Sequence, residues 1–325
     1  MNVAARAIAV LAMLVGSVAA ASADWPASGR PIQIVVPVSA GGGTGDSIAR
    51  LLADQLAIQL KASVIVENRG GANGNVGASA VAAAPPDGQT LLFSWAGTLA
   101  VNPSIYKNLR FDPEQSFDPI ALIAETPNIV VVNKSIGINS FADFVAHARS
   151  HPGQLNFGST GIGSSMHLAA ELFMRRTKTS MVHVPYSSTG VATTNLLGNY
   201  TQTMFHLIPG IVGQVKAGEV RALAVMSKTR SSTLPDVPTV GELGEPELLS
   251  STWFALLAPR HTPADILDRL NDAVNRILAD PGIREKLAAM GASPLGGTRQ
   301  DLAGHLSSEI AKWRRVVEEA GITAQ

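Results

Sequence analysis

The chain has 325 residues with 25 basic and 25 acidic side chains, so its formal net charge at pH 7 is zero. No basic tract and no basic–aromatic interleaving occurs, which argues against nucleic acid and against an anionic membrane surface as partners. There is no cysteine, which excludes disulfides, thiolate nucleophiles and cysteine metal sites. A chain of this length predicts one large domain or two of ordinary size.

The N-terminal segment is typical of a cleavable signal peptide. Arg6 precedes the apolar run Ala7–Val18, and Ala21-Ser22-Ala23 has the small residues of a cleavage site. We therefore expect residues 1–23 to be removed after Ala23 and not to belong to the fold. The apolar run is too short to span a bilayer comfortably, so direct membrane insertion is not expected.

Short apolar runs alternate with amphipathic segments along the rest of the chain. Ile32–Val38 is typical of a buried strand, and the segment after it has apolar residues at helical spacing up to Leu60. Asp46 is predicted to cap that helix, because aspartate is a favoured N-cap residue. Thr262-Pro263 likewise predicts an N-cap with proline at the first helical position, opening a helix to about Ala279.

The remaining elements follow the same alternation. Strands are predicted at Val64–Val66, Thr90–Ser94, Ile120–Ala124, Ile129–Asn133, Asn156–Gly158, Val182–Val184, Met204–Leu207, Arg221–Ser227 and Trp253–Ala258. Further helices are predicted at Phe141–Ser150 and in segments that end near Ala84, Arg176, Asn199, Gly218, Gly291 and Gly321.

This alternation predicts an α/β fold with mixed, largely parallel sheets. Thr126-Pro127 separates two predicted strands, and a second connection lies near residues 247–253. We interpret the two places as crossings between lobes, which assigns residues 24–126 plus 250–325 to the first lobe and 127–249 to the second. Ligands of such sheets bind at the carboxyl ends of strands, so two facing lobes would share one cleft.

Two glycine-rich loops each join a predicted strand to a predicted helix, one in each lobe. Four of the five residues in Gly41–Gly45 are glycine, and the second loop is Ser159–Ser165. A helix start presents unpaired N–H groups and about half a positive charge, and glycine lets a ligand approach the backbone closely. Both loops are therefore predicted to bind a small anion such as a carboxylate. A tight strand-to-helix turn is the structural alternative for each.

Short motifs lie along nearly the whole mature chain, and their order and spacing carry a resemblance. They are Pro31-Ile32 through Ala40-Gly41-Gly42, Val66-Glu67-Asn68-Arg69, Pro86-Asp87-Gly88, Val101-Asn102-Pro103, Leu155-Asn156-Phe157-Gly158-Ser159, His183-Val184-Pro185-Tyr186, Arg221-Ala222-Leu223-Ala224-Val225, Leu234-Pro235-Asp236-Val237-Pro238-Thr239, Trp253-Phe254, Leu256-Leu257-Ala258-Pro259 and Gly296-Gly297-Thr298. Together they resemble the Bug family of periplasmic solute-binding proteins, the receptors of tripartite tricarboxylate transporters.

The resemblance implies a two-lobed type II periplasmic binding protein, or Venus flytrap, located in the periplasm and without catalysis. It implies that an organic carboxylate (a di- or tricarboxylate, or an aromatic acid) is gripped between two loops, mainly by main-chain N–H groups and waters. In this sequence, the two loops of the family pattern correspond to Ser39–Asp46 and Ser159–His167. The implied partners are the carboxylate and the membrane permease subunits, with a monomer as the usual state and no cofactor or metal.

The chain departs from the family pattern at three places. Gly45 is an extra residue compared with the commoner spacing of the first loop. His206 stands where an acidic residue is common, which favours a second ligand carboxylate at that point. Trp95 replaces a residue that is often small, and its ring could form a flat wall for a planar ligand.

These considerations give one set of candidate ligand-binding residues. They are Ser39, Gly41, Gly42, Gly43, Thr44, Gly45, Asp46, Trp95, Ser159, Thr160, Gly161, Gly163, Ser164, Ser165, His167, Tyr186, Thr189, Gly190 and His206. No catalytic or metal-binding residue is expected.

Several candidates also have a structural interpretation. Asp46 and Thr189 are also suited to cap a helix. His167 is also suited to support its loop by hydrogen bonding. Tyr186, Trp95 and His206 are also compatible with packing in the core, as Ser164 is with an N-cap.

Two other functions remain as alternatives. A secreted hydrolase would need scattered catalytic residues, because the sequence has no G-x-S-x-G, H-E-x-x-H or G-K-[ST] motif. A ligand-sensing role, in which the protein docks on a membrane sensor kinase, uses the same ligand-bound surface as a transport receptor.

Overall fold

The computed structural model describes residues 25–27, 29–38 and 44–322. The predicted signal peptide and loop residues 39–43 lie outside the described residues. The strands are β1 (Ile32–Val36), β2 (Val64–Asn68), β3 (Thr90–Trp95), β4 (Phe117–Asn133), β5 (Asn156–Ser159), β6 (Val182–Pro185), β7 (Thr203–Leu207), β8 (Val220–Val225), β9 (Ser251–Pro259) and β10 (Ser293–Gly296).

Helices connect these strands and cover both faces of the sheets. They are α1 (Thr44–Leu60), α2 (Asn75–Ala82), α3 (Asn102–Ile105), α4 (Phe141–Ser150), α5 (Ser165–Thr177), α6 (Thr189–Leu197), α7 (Val212–Lys216), α8 (Ala264–Ala279), α9 (Pro281–Ala289) and α10 (Arg299–Ala320). A π-helical turn at Gly97–Val101 leads directly into α3.

The strands form two mixed sheets that share β4. In the first sheet, β1 lies parallel between β2 and β3, and β9 pairs antiparallel with β3 and β4; β10 also joins β4. In the second sheet, β5 lies parallel between β6 and β7, and β4 pairs antiparallel with β7 and β8. The α/β prediction with mixed sheets is therefore confirmed.

The predicted break at Thr126-Pro127 is wrong, because β4 runs through it without interruption. Thr126 pairs with Thr252 and Pro127 with Ser251 of β9, and from residue 128 onward β4 pairs with β7. Proline has no N–H to donate, so it is tolerated where a strand changes partners. Pro127 stands at that change, where β4 leaves the first sheet and enters the second.

Asn128 joins the strands at the junction of the two sheets. Its N–H donates to the Ser250 carbonyl at 2.9 Å, and its side-chain amide donates to the Phe205 carbonyl at 2.9 Å. The Ser250 hydroxyl donates to Asn128 Oδ1 at 3.1 Å, and both side chains are buried. The outgoing strand β4 and the returning chain before β9 are thereby fixed to each other.

Each sheet is packed on both faces. Helices α1 and α8 cover one face of the first sheet, and α10 with residues 97–105 covers the other. Helices α4 and α5 cover one face of the second sheet, and α6 with α7 the other. Ile266, Leu270, Val274 and Ile277 are buried along α8, as their spacing predicts.

The predicted start of α8 is wrong by one residue. The helix begins at Ala264 with Pro263 as N-cap, and Leu267 N–H donates to the Pro263 carbonyl. Thr262 is instead held by the loop before the helix, since its hydroxyl donates to the Pro259 carbonyl and its N–H to Asp118. Within the described ranges, no helix has the length and apolar character needed to cross a bilayer.

We expect Asn128→Ala to lower the free energy of unfolding by about 2 kcal/mol, because the Phe205 carbonyl and the Ser250 hydroxyl lose their buried partner. Ser250→Ala is the control, since it removes one bond and should cost about 1 kcal/mol. Urea titration followed by circular dichroism measures both. A loss for Asn128→Ala no greater than that for Ser250→Ala would contradict a joining role of Asn128.

Candidate functional site

A cavity of about 480 Å³ lies between the two sheets, a size usual for small-molecule sites. From the side of the first sheet it is lined by Val38, Thr44, Gly45, Asn73, Trp95, Ala96, Gly97, Val101, Ser251, Thr252, Phe254 and Trp313. From the side of the second sheet it is lined by Thr160, Gly163, Ser164, Ser165, Met166, Leu168, Thr189, His206, Leu207 and Gly210.

The structure brings about half of the candidate residues to this cavity. Those that line it are Thr44, Gly45, Trp95, Thr160, Gly163, Ser164, Ser165, Thr189 and His206. Asp46, Ser159, Gly161, His167, Tyr186 and Gly190 are not among the lining residues. Ser39, Gly41, Gly42 and Gly43 lie outside the described residues. The two glycine-rich loops therefore border one shared space, at least through their described parts.

The first loop meets the cavity at the start of α1. Thr44 and Gly45 are the first two residues of this helix, so their N–H groups have no acceptor within it. A Cβ atom on Gly45 would lie 3.0 Å from Phe254 Cε1. The helix start thus packs closely on the Phe254 ring, and both contribute to the same wall.

Asp46 lies inside the first turn of α1 and supports the helix start from there, so the prediction of Asp46 as the N-cap residue is wrong. Helix α1 begins two residues earlier, at Thr44, and the Asp46 carboxylate is buried in its first turn. It accepts from Arg50 Nε at 3.0 Å and from Asn68 Nδ2 at 2.7 Å, while Arg50 Nη2 donates to Asn68 Oδ1 at 2.8 Å. This network ties α1 to the end of β2.

The second loop meets the cavity at the start of α5. Ser164 is its N-cap, with its hydroxyl accepting from His167 N–H at 3.3 Å, as the structural interpretation of Ser164 predicts. Ser165 and Met166 occupy the first two helical positions, and their N–H groups have no acceptor among the described residues. Both residues line the cavity. The loop therefore supplies two unpaired backbone donors to a partly apolar space.

Gly163 lets the second loop reach the opposite side of the cavity. Its φ of +79° lies in the left-handed region, and a Cβ atom there would lie 2.8 Å from Ile105 Cδ1 of α3. A side chain at this position would be strained by the backbone and would collide with Ile105. The close approach of the loop to α3 thus depends on glycine.

His167 supports the second loop by hydrogen bonding. Its Nδ1 accepts from Gly163 N–H at 3.4 Å, which places the ring proton on Nε2, 3.7 Å from Glu171. Burial, with a smaller effect of the neighbouring His183, lowers the pKa of His167 to about 4. The ring is therefore neutral at pH 7 and able to accept at Nδ1. The interpretation of His167 as a support residue agrees with these contacts.

Buried Ser159 and half-buried His183 form a hydrogen-bonded pair beneath the same loop. Ser159 Oγ lies 2.6 Å from His183 Nε2 and accepts from Gly161 N–H at 3.0 Å. Burial lowers the pKa of His183, and its ring lies 4.3 Å from that of His167. The Ser159 side chain is fully buried and does not line the cavity, so it cannot meet a substrate there. Its geometry holds the loop.

His206 lies in the cavity wall beside α6. Its ring is fully buried, Nδ1 donates to the Leu207 carbonyl at 2.7 Å, and Nε2 lies 3.2 Å from Thr193 Oγ1. Burial lowers the pKa of His206 to about 4, although the bond to Leu207 acts in the opposite direction. Gly210 makes room for the ring, since a Cβ there would lie 2.4 Å from His206 Cε1.

Thr189, Gly190 and Tyr186 occupy the neighbouring turn. Thr189 is the first residue of α6 and lines the cavity, whereas the N-cap is Ser188, which accepts from Val191 N–H. Tyr186 packs against the core of the second sheet, consistent with its structural interpretation.

Sequence reasoning missed several lining residues from the first sheet, chiefly Asn73, Thr252, Phe254 and Trp313. Asn73 belongs to a third glycine-rich turn and donates through Nδ2 to Asn102 Oδ1 at 2.7 Å. The glycines of this turn, within residues 70–77, are a feature of the sequence that could have indicated a further lining segment. Phe254 and Trp313 had no such feature, because they lie within an apolar strand and an amphipathic helix and reach the cavity only through tertiary packing.

Comparison with known proteins defines the class. Solved structures with the same fold include one titled as a periplasmic transporter, 36% identical, with a TM-score of 0.80 over 91% of this chain and 99% of that one. A protein of R. palustris solved with adipate is 36% identical, with a TM-score of 0.81 over 93% of this chain and 100% of the other. MatC from Rhodopseudomonas palustris, solved with bound malate, is 33% identical, with a TM-score of 0.76 over 90% of this chain and 100% of the other.

Two sheets around one cavity thus define a periplasmic binding protein of the two-lobed, Venus-flytrap class, as predicted. Residues 48–322 match the family described as "Tripartite tricarboxylate transporter family receptor". Protein BugT of Bordetella pertussis is 36% identical over 97% of this chain and 98% of its own length. The chain belongs to this family, the Bug solute-binding receptors, which confirms the resemblance found in the sequence motifs.

We expect His167→Leu to leave Gly163 N–H without its acceptor, and His167→Asn to keep an acceptor oxygen near the position of Nδ1. Hydrogen exchange of the loop 159–165 should therefore accelerate about tenfold in the leucine variant, equivalent to about 1.4 kcal/mol of local opening free energy, and stay near wild type in the asparagine variant. Equal exchange in the two variants would show that the Gly163–His167 bond does not order the loop.

We expect acid to destabilise the protein through its buried histidines. His167 and His206 have a pKa of about 4 in the folded chain and an ordinary value of 6.5. Between these values the unfolded chain binds more protons, so the free energy of unfolding falls as the pH drops from 6.5 to 4, by up to about 3 kcal/mol per histidine. Glu171 opposes this, because burial raises its pKa.

Denaturant titrations at several pH values measure this dependence. His206→Asn removes one titrating group while keeping a donor for the Leu207 carbonyl, so its stability should fall less steeply across the same window. An unchanged slope in that variant would mean that His206 does not contribute to the acid sensitivity.

Proposed function

We propose that this receptor captures an organic carboxylate in the cavity between the sheets and delivers it to the membrane permease of a tripartite tricarboxylate transporter. The supporting observation is the pair of helix starts, α1 and α5, that border the cavity from opposite sides through Thr44, Gly45, Ser165 and Met166. Helix starts combine free N–H donors with a partial positive charge, which suits a carboxylate.

The carboxylate oxygens would accept from these N–H groups, with the Thr44 and Thr160 hydroxyls as further donors at the rim. Asp46 on one side and His167 on the other hold the two helix starts in place without entering the cavity. Two of the related structures were solved with dicarboxylic acids, adipate and malate, which agrees with a carboxylate grip in this family.

In this proposal the lobes are residues 24–126 plus 250–325 and residues 127–249, and the ligand stabilises the arrangement in which both loops contact it. The permease would bind the surface that the two lobes present in this ligand-bound arrangement. The chain would be exported with cleavage after Ala23 and act in the periplasm as a monomer, without catalysis. The burial of Ser159 supports a binding role, because the Ser159–His183 pair has no access to a substrate in the cavity.

Ser165→Pro tests the backbone grip. Proline is favoured at the first position of a helix, and the extended Ser164 backbone (φ −66°, ψ 153°) is compatible with a following proline. The substitution therefore removes one N–H donor and leaves the helix intact. We expect the Kd for carboxylates to rise about 10- to 100-fold, since a hydrogen bond to a charged group contributes about 1.5–3 kcal/mol.

Ser165→Ala is the matched control, because it removes the hydroxyl and keeps the N–H. Isothermal titration calorimetry against a panel of mono-, di- and tricarboxylates gives the affinities, and thermal unfolding verifies the fold. Unchanged affinity in a folded Ser165→Pro variant would contradict binding by the α5 start, and a panel in which no acid binds would contradict the function.

A further inference from the structure

The cavity has almost no ionisable side chain. Among its described lining residues there is no Lys, Arg, Asp or Glu, and the one histidine is His206. Whatever charge the ligand carries must therefore be balanced by backbone and hydroxyl dipoles.

His206 does not alter this balance. Its Nδ1–H is used by the Leu207 carbonyl, its Nε2 faces Thr193 Oγ1 at 3.2 Å, and the ring is fully buried. Burial also lowers its pKa to about 4, so it is neutral at pH 7. A second ligand carboxylate near α6 would find the Thr189 hydroxyl and a helix start, but no cation.

The helix starts set how much negative charge the cavity accepts. Each helix N-terminus is equivalent to about half a positive charge, so α1 and α5 together match about one carboxylate. The start of α6 adds only about half a charge at the other end. Because ionised groups are costly to bury without a full partner, a second carboxylate is disfavoured there.

The rest of the wall is aromatic and aliphatic. Trp95 and Phe254 are paired across β3 and β9, and Phe254 stacks on Phe93 with ring centroids 5.7 Å apart. Trp313 and Leu168 extend this apolar surface. Trp95 is half-buried, and its indole N–H has no hydrogen-bond partner among the described residues, so it offers both a flat face and a free donor.

We propose that the cavity selects monocarboxylates with an aromatic body over dicarboxylates of the same shape. This inference rests on the proposed carboxylate function and narrows it: one carboxylate lies between the starts of α1 and α5, and the ring lies along Trp95 and Phe254. The sequence-based expectation that His206 pairs with a second carboxylate is replaced by a far end that carries no ionised side chain among the described lining residues.

Ligand pairs that differ in one charge test the selection in the wild-type protein. Benzoate and monomethyl terephthalate are compared with terephthalate, and hexanoate with adipate, by calorimetry at pH 7. We expect the singly charged member of each pair to bind at least about tenfold more tightly. The proposal is overturned if terephthalate or adipate binds as tightly as its singly charged counterpart.

Benzamide separates this inference from the proposed function. If benzoate binds and benzamide does not, the proposed carboxylate binding is supported, whichever member of each acid pair has the higher affinity. If benzamide binds as well as benzoate, or if no acid binds, the carboxylate function and this inference both fail. If acids bind but the doubly charged members are preferred, only the present inference fails.

Two variants of Trp95 test the aromatic wall. We expect Trp95→Leu to weaken benzoate binding at least about tenfold, and Trp95→Phe, which keeps a ring, to weaken it less than about threefold. Hexanoate affinity should change less than about threefold in both. An equal loss for benzoate and hexanoate in a folded Trp95→Leu variant would contradict an aromatic preference.

A third variant adds the cation that the cavity lacks. Thr189→Lys would place an ammonium group at the start of α6, and we expect it to raise the terephthalate affinity relative to benzoate by at least about tenfold. An unchanged ratio in the folded variant would show that charge at this end does not set the selection.

Discussion

The proposed carboxylate binding depends on backbone N–H groups at two helix starts that face one cavity. Such donors are ordinarily satisfied by caps or water. Here Ser164 accepts from the His167 N–H, and the N–H groups of Ser165 and Met166 have no acceptor in the described part of the chain. A partly apolar wall strengthens their attraction for a negative charge, because the local dielectric constant is lower than that of water. In the proposed binding mode, a carboxylate would meet dipoles that the fold has already oriented, with no charged side chain to reorganise.

Both helix starts are held by buried polar groups on the side away from the cavity. Asp46 joins α1 to Asn68 on β2, and His167 joins the second loop to α5. The two supports differ in chemistry: one is a carboxylate paired with Arg50, the other a neutral imidazole whose charged form burial disfavours.

Much of this could be predicted from the sequence. The alternation of apolar runs gave the α/β class, and the glycine-rich loops at Gly41–Gly45 and Ser159–Ser165 indicated helix starts at a shared site. What failed were local details decided by neighbours in space. The sequence predicts a strand break at Pro127, but β4 is continuous there and passes from the first sheet into the second. The sequence favours Asp46 as an N-cap, but Asp46 lies in the first turn of α1, where its carboxylate accepts from Arg50 and Asn68. The aromatic wall of Phe254 and Trp313 joins segments distant in sequence, so no local pattern could reveal it.

The uninterrupted course of β4 limits how the two sheets can move. If flexible linkers connected the two sheets, the sheets could reorient freely. Here, residues 117–127 and 128–133 of a single strand are hydrogen-bonded into different sheets. Any change in the angle between the sheets must be absorbed as twist or bend along β4 and its neighbour β9, with Asn128 held to Ser250 at the pivot. Opening of the cavity would therefore deform β4 and separate Gly163 from Ile105, which approach each other closely.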